Sequence, residues 1–113
     1  MKKKTLQSRP PHPVDMYDQK IWWRTAGGEW VRVADMAPDH CRNTAAYLLR
    51  HAEAIAVRQG FRELVVYGDA PDDVVDSWMR RDAMRLDDPR GWITSTRLYR
   101  ALIKRARKIG EQA

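Results

Sequence analysis

The side chains able to act as soft metal ligands or neutral bases are few: His12, His40, His51 and the single Cys41. On one helix His40 and His51 stand eleven residues apart, roughly 16 Å at 1.5 Å per residue. His40 and Cys41 are adjacent and diverge. No zinc-type spacing results, and metal binding is not expected. Cys41 falls among apolar neighbours of a helical pattern and reads as a small core residue, not a nucleophile. There is no G-x-S-x-G, and Gly27-Gly28 is not followed by a helix that would make it a phosphate loop. The sequence therefore predicts a protein that is not an enzyme and that carries no cofactor.

Two charged clusters remain. Asp69, Asp72, Asp73 and Asp76 contain D-D-V-V-D, superficially the metal-diphosphate motif of isoprenoid synthases, whose large helical cavity 113 residues cannot enclose. At a helix start these aspartates favour the positive dipole end and cap free N–H groups. The second cluster is cationic. The net charge of +6 is uneven: residues 1–20 hold five Lys/Arg against two Asp, and residues 94–113 hold six against Glu111. The intervening body holds ten Arg against twelve acids. A helix from Thr94 or Ser95 as N-cap to Ile109 places Leu98, Tyr99, Leu102, Ile103, Ala106 and Ile109 on one arc. Arg97, Arg100, Lys104, Arg105, Arg107 and Lys108 fall on the opposite arc with no acid among them. Like charges at i,i+4 repel by a few tenths of a kcal/mol, so a face chosen for stability alone would intersperse glutamates.

The elements that must position this face follow from pattern. Residues 1–20, with Lys2, Lys3, Lys4 and then P-P-H-P, read as a disordered basic arm. Residues 21–113 read as a single compact α+β domain. Ile21–Val33 reads as a hairpin with a two-residue turn at Gly27-Gly28, which faces Trp23 with Arg32 as a cation–π stack and Thr25 with Trp30. Its three Trp residues form the lid of a small core rather than a platform. Ala37–Gly60 reads as the longest helix, opened by Pro38 and Asp39 and stopped by Gly60. Leu64–Tyr67 is short, apolar and β-branched, and is open to a third short strand. Ala70–Leu86 reads as a second helix with Val74, Val75, Trp78, Met79 and Leu86 inward, and Asp87–Gly91 as a turn-rich break. The fold class is thus a Trp-rich hairpin packed on three helices, the central one longest. No apolar run reaches the ~18 residues that span a bilayer, no secretory signal follows the basic start, and one cysteine suits a reducing cytoplasm.

Trp23, Gly28, Met36, His40, Asn43, Thr44, Leu48, Leu49 and Arg50 resemble a pattern in a family of small uncharacterised phage proteins. That pattern has a Trp strand, a Gly turn, a second strand, then M-x-x-x-H-x-x-N-T and a Leu-rich helix ending in Arg. The resemblance covers Ile21–Arg50; this chain departs from it at Cys41, at Trp30 and in a longer C-terminal half. It implies a phage setting, hence a host-cell cytoplasm, and a hairpin-plus-helix core, with no activity to carry over. His40 and Asn43 read as a local capping arrangement. The expected function is sequence-independent binding of DNA or RNA through Arg97, Arg100, Lys104, Arg107 and Lys108, with Lys2, Lys3 and Lys4 as auxiliary grip. The alternative is a phage protein that binds a host or phage protein through its aromatic and basic surface, with the Trp residues and Tyr47 as anchors.

Overall fold

The computed structural model describes the backbone of residues 9–112 and the side chains of residues 9–107. After a 3-10 helix at Pro13–Asp18 come strands β1 (Trp22–Arg24) and β2 (Trp30–Arg32) and a 3-10 turn at Val33–Asp35. Helices α1 (Pro38–Arg50), α2 (Ala52–Tyr67), α3 (Asp72–Asp87), α4 (Pro89–Ser95) and α5 (Arg97–Gln112) follow. The fold is α+β, an antiparallel Trp hairpin packed on helices. Among the described residues it has five α-helices rather than the expected three, and its sheet has two strands, so the third short strand left open at Leu64–Tyr67 does not form.

The basic arm does not extend to residue 20. His12 Nδ1 accepts from the Val14 N–H at 3.1 Å to start the first 3-10 helix, and Val14, Met16 and Tyr17 are buried. A one-turn helix is too short for periodicity to register. Gln19 then ties it to the hairpin. Its Nε2 donates to the carbonyls of Met16 and Trp22, both at 2.6 Å, and its Oε1 accepts from the N–H groups of Ile21 and Trp22 at 2.9 and 2.7 Å.

The hairpin register is one residue off the expected one. Trp22 pairs with Arg32, Trp23 with Val31 and Arg24 with Trp30. The loop holds three residues: the Gly28 N–H donates to the Thr25 carbonyl at 2.9 Å and Thr25 N–H to the Glu29 carbonyl at 2.8 Å. Gly28 alone takes a positive φ, 85°, which is the turn-plus-left-handed-residue loop. The shift replaces the expected Trp23–Arg32 stack with two others, Arg32 over Trp22 at 5.4 Å and Arg24 over Trp30 at 5.8 Å. Trp23, Trp30 and Val31 pack on the core. Gly28→Ala is expected to lower the unfolding free energy by about 1 kcal/mol because of the left-handed backbone. Gly27→Ala, whose added Cβ meets only Thr25 Oγ1 at 3.9 Å, is expected to change it little; equal effects in urea melts would contradict this loop.

The long helical run does not stop at Gly60. His51 (φ −106°, ψ 19°) bends it, yet the ladder continues: His51 N–H donates to the Tyr47 carbonyl at 3.0 Å and Ile55 N–H to the His51 carbonyl at 2.9 Å. The buried stripe Cys41, Ala45, Leu48, Ala52, Ile55, Gln59 and Glu63 advances by three or four residues throughout. Helix α2 therefore carries on through the segment expected to be a strand. The reason is a reversal of polarity. At its end α2 turns Gln59, Gly60 and Glu63 inward, while Phe61 (65% exposed), Leu64, Val65 (86%) and Val66 face out. A pattern argument that equates apolar with buried must misread such a segment. Gly60 is needed by α3, because a Cβ there would lie 2.7 Å from Asp82 Oδ1.

On α3 only Trp78 of the expected inward face is buried; Val74, Met79 and Leu86 are exposed. Asp72 and Asp73 are exposed in its first turn, and no side chain caps it, contrary to the capping expectation. The Asp87–Gly91 break is instead the start of α4, with Asp88 Oδ1 accepting from Gly91 N–H at 3.0 Å. The cap of α5 is Thr96, whose Oγ1 accepts from Tyr99 N–H at 3.2 Å. The Thr94 and Ser95 hydroxyls serve α4, donating to the carbonyls of Gly91 and Trp92. Helices α1 and α5 pack on one another, and the core holds Cys41, Ala45, Leu48, Ile93, Leu98 and Leu102 with Met16, Tyr17, Val33 and Met36.

Burial pushes the Cys41 thiol above its ordinary pKa, with the Arg105 guanidinium pulling the other way. Burial also raises Tyr17, offset in part by Arg62 and Arg58. Both groups hold their protons more tightly folded than unfolded. Their contribution to stability is thus full below the unfolded values and is lost as pH rises through the folded ones, above about pH 9–10. Native Cys41 is expected to resist iodoacetamide at about pH 8 and to react once the chain is denatured; rapid native labelling would contradict its burial.

Candidate nucleic-acid interface

Helix α5 is fixed from inside. Leu98 and Leu102 are fully buried and Ala106 is 6% exposed. Arg97, Arg100, Lys104 and Arg107 are exposed on its outer side. Steps of three, four and three residues align these four heads in one stripe about 15 Å long. Among the described residues the ion pairs are Arg42–Asp39, Arg85–Glu63 and Arg85–Asp82. Among the described residues, therefore, no carboxylate forms an ion pair with the stripe. Arg100 Nε donates to the Thr96 carbonyl at 3.4 Å, a neutral partner that leaves its charge uncancelled.

Arg105 behaves differently. It is half-buried, and its Nε donates to the Met36 carbonyl at 3.2 Å, clasping α5 to the loop before α1. The backbone of Lys108 belongs to α5, but its side chain lies outside the described residues, as do Lys2, Lys3 and Lys4.

The hairpin widens the cationic face. A groove of about 320 Å³ beside α5 is lined by Lys20, Arg32, Lys104 and Arg105 with Ile21, Val33, Ala34 and Ala101, and no carboxylate lines it. The sequence reading missed Lys20, assigned to the arm, and Arg32, assigned to a stack on Trp23. Only the hairpin register and the docking of residues 13–19 bring them to α5. Towards the N-terminal end of α5 a cavity of about 410 Å³ is mixed in charge, with Arg81, Arg85, Arg97 and Arg100 beside Asp15, Asp18 and Glu63.

Such a face can do one thing well: supply fixed positive potential to a polyanion. Asn, Gln and Ser side chains able to read base edges are absent from its exposed stripe, so it offers backbone contacts without sequence discrimination. Among the described residues no three His, Cys, Asp or Glu side chains form a group able to hold a metal ion, and no helix is long and apolar enough to cross a membrane. His40 and Asn43 do not form the expected capping arrangement: Ala37 is the N-cap of α1, and no side chain caps it. Both are exposed at the junction of hairpin and helix. No protein-family model, curated protein or solved structure matches the chain, and the interface stands on its own geometry.

Proposed function

We propose that this is a non-enzymatic accessory protein of phage type that lays α5 along a nucleic-acid backbone in the host-cell cytoplasm. The observation that carries this reading is the stripe Arg97, Arg100, Lys104 and Arg107, exposed and unneutralised among the described residues. Lys20 and Arg32 extend it, and Lys108 with Lys2, Lys3 and Lys4 adds grip from the chain ends. The test is a salt titration with a labelled DNA duplex. Four phosphate contacts give a slope of log K against log salt of about −3.6, with equal affinity for unrelated sequences. Affinity that stays constant from low to moderate salt overturns the reading.

A second reading, capture of an acidic host or phage protein, is favoured by exposed aromatic side chains, Tyr47 at 43% and Phe61 at 65%. The same titration separates the two. A protein-only binder shows no salt-dependent affinity for the duplex.

A further inference from the structure

A second cationic site lies away from α5. Between the hairpin and the α1–α2 bend is an open pocket of about 540 Å³, within the roughly 300–1,000 Å³ range of small-molecule sites. Its walls carry the guanidinium groups of Arg24, Arg58 and Arg62 and the imidazole of His40. No carboxylate lines it, and none of the three arginines belongs to an ion pair among the described residues. Arg24 lies over the Trp30 ring, but no carboxylate offsets the three guanidinium charges around this concavity, and an anion would supply that partner.

The remaining lining narrows the class of anion. Trp23 is half-buried and stands outside both cation–π pairs of the hairpin, and Tyr47 is 43% exposed. Aromatic surface of this kind takes a planar base, at roughly 1–3 kcal/mol per stacked base. Asn43 lines the same wall with an amide able both to donate and to accept. Guanidinium forks beside aromatic rings and an amide match a phosphate joined to a heteroaromatic ring better than a bare oxyanion or an acidic peptide. We infer that this pocket binds a nucleoside 5′-phosphate, free or as the 5′ end of a nucleic-acid strand. The base lies on the Trp23 and Tyr47 side, and the phosphate is held by Arg58 and Arg62 with Arg24 and His40. The pocket shares no residue with α5, so it does not rest on the duplex-binding reading and survives that reading's failure.

The test is titration of the full chain with adenosine 5′-monophosphate, followed by tryptophan fluorescence. Adenosine and inorganic phosphate serve as comparators, each expected to bind about tenfold or more weakly than the nucleotide. Arg58→Glu and His40→Ala change exposed positions and are expected to weaken nucleotide binding about tenfold or more, with unchanged circular-dichroism melts. The strand source is tested with 5′-phosphorylated and 5′-hydroxyl oligothymidylate in an Arg97→Ala/Arg100→Ala/Lys104→Ala background, which removes the α5 contribution. Saturable binding of the mononucleotide assigns the free ligand. Preference for the 5′-phosphorylated strand with no response to the mononucleotide assigns the strand end. Neither response, or binding that Arg58→Glu leaves untouched, overturns the site.

Discussion

Arg85→Ala is expected to remove about 3–5 kcal/mol of unfolding free energy, the cost of leaving a buried carboxylate without its partner. Arg85 Nη2 donates to both Glu63 oxygens, at 3.0 and 2.8 Å, and Nη1 to Asp82 Oδ1 at 3.1 Å. The Arg85 and Glu63 side chains are only 8% and 11% exposed. The guanidinium also lies 5.0 Å from the Trp92 ring centroid, so the same change alters tryptophan fluorescence. Against a total of roughly 5–15 kcal/mol for a domain of this size, such a loss approaches unfolding. Urea melts followed by circular dichroism measure it, with the midpoint falling and the slope held. The double change Glu63→Leu with Arg85→Met is expected to regain most of the loss, since it removes both charges together. A cost below about 1 kcal/mol for Arg85→Ala would mean that water reaches the pair and screens it.

The second large effect is on binding. Arg97→Ala/Arg100→Ala/Lys104→Ala is expected to flatten the salt slope on duplex DNA by about 2.7 and to lower low-salt affinity on the order of a hundredfold. Stability should hold or rise slightly, because the changed side chains are exposed and repel one another. Arg105→Ala gives the opposite pattern. It breaks the clasp to the Met36 carbonyl and lowers the melting temperature while leaving the salt slope nearly intact. If Arg105→Ala instead flattened the slope as much as the triple change, the phosphate contacts would lie on the groove beside Lys20 and not along the outer stripe.

The outer stripe was legible in the sequence because α5 obeys the simplest rule available, aliphatic residues inside and cations outside at helical spacing. The hairpin was legible for the same reason, and its register was not. Gly27 and Gly28 look equivalent as letters, and only the hydrogen bond from Gly28 N–H to the Thr25 carbonyl decides which takes the left-handed position. The largest misreading, a strand at Leu64–Tyr67, comes from helix α2, whose inward residues there are Gly60 and Glu63. Their burial depends on Asp82 and Arg85, some twenty residues later in the chain, and no local window contains that information. The cationic width contributed by Lys20 and Arg32 was hidden likewise, since it follows from Gln19 holding the first 3-10 helix against the hairpin.

The reversed end of α2 has a consequence for how the molecule yields. Aliphatic side chains join α1 to α5, whereas α3 is joined to α2 through the Arg85 guanidinium on the Glu63 carboxylate and the close approach of Asp82 to Gly60. A seam of that kind is specific in geometry but thin in apolar area, and polar seams part at lower free energy than aliphatic ones. The α3 segment and the last two turns of α2 should therefore lift as one cooperative flap. Their amides would exchange with solvent together, well before those of α1 and α5, which hold until the whole chain opens.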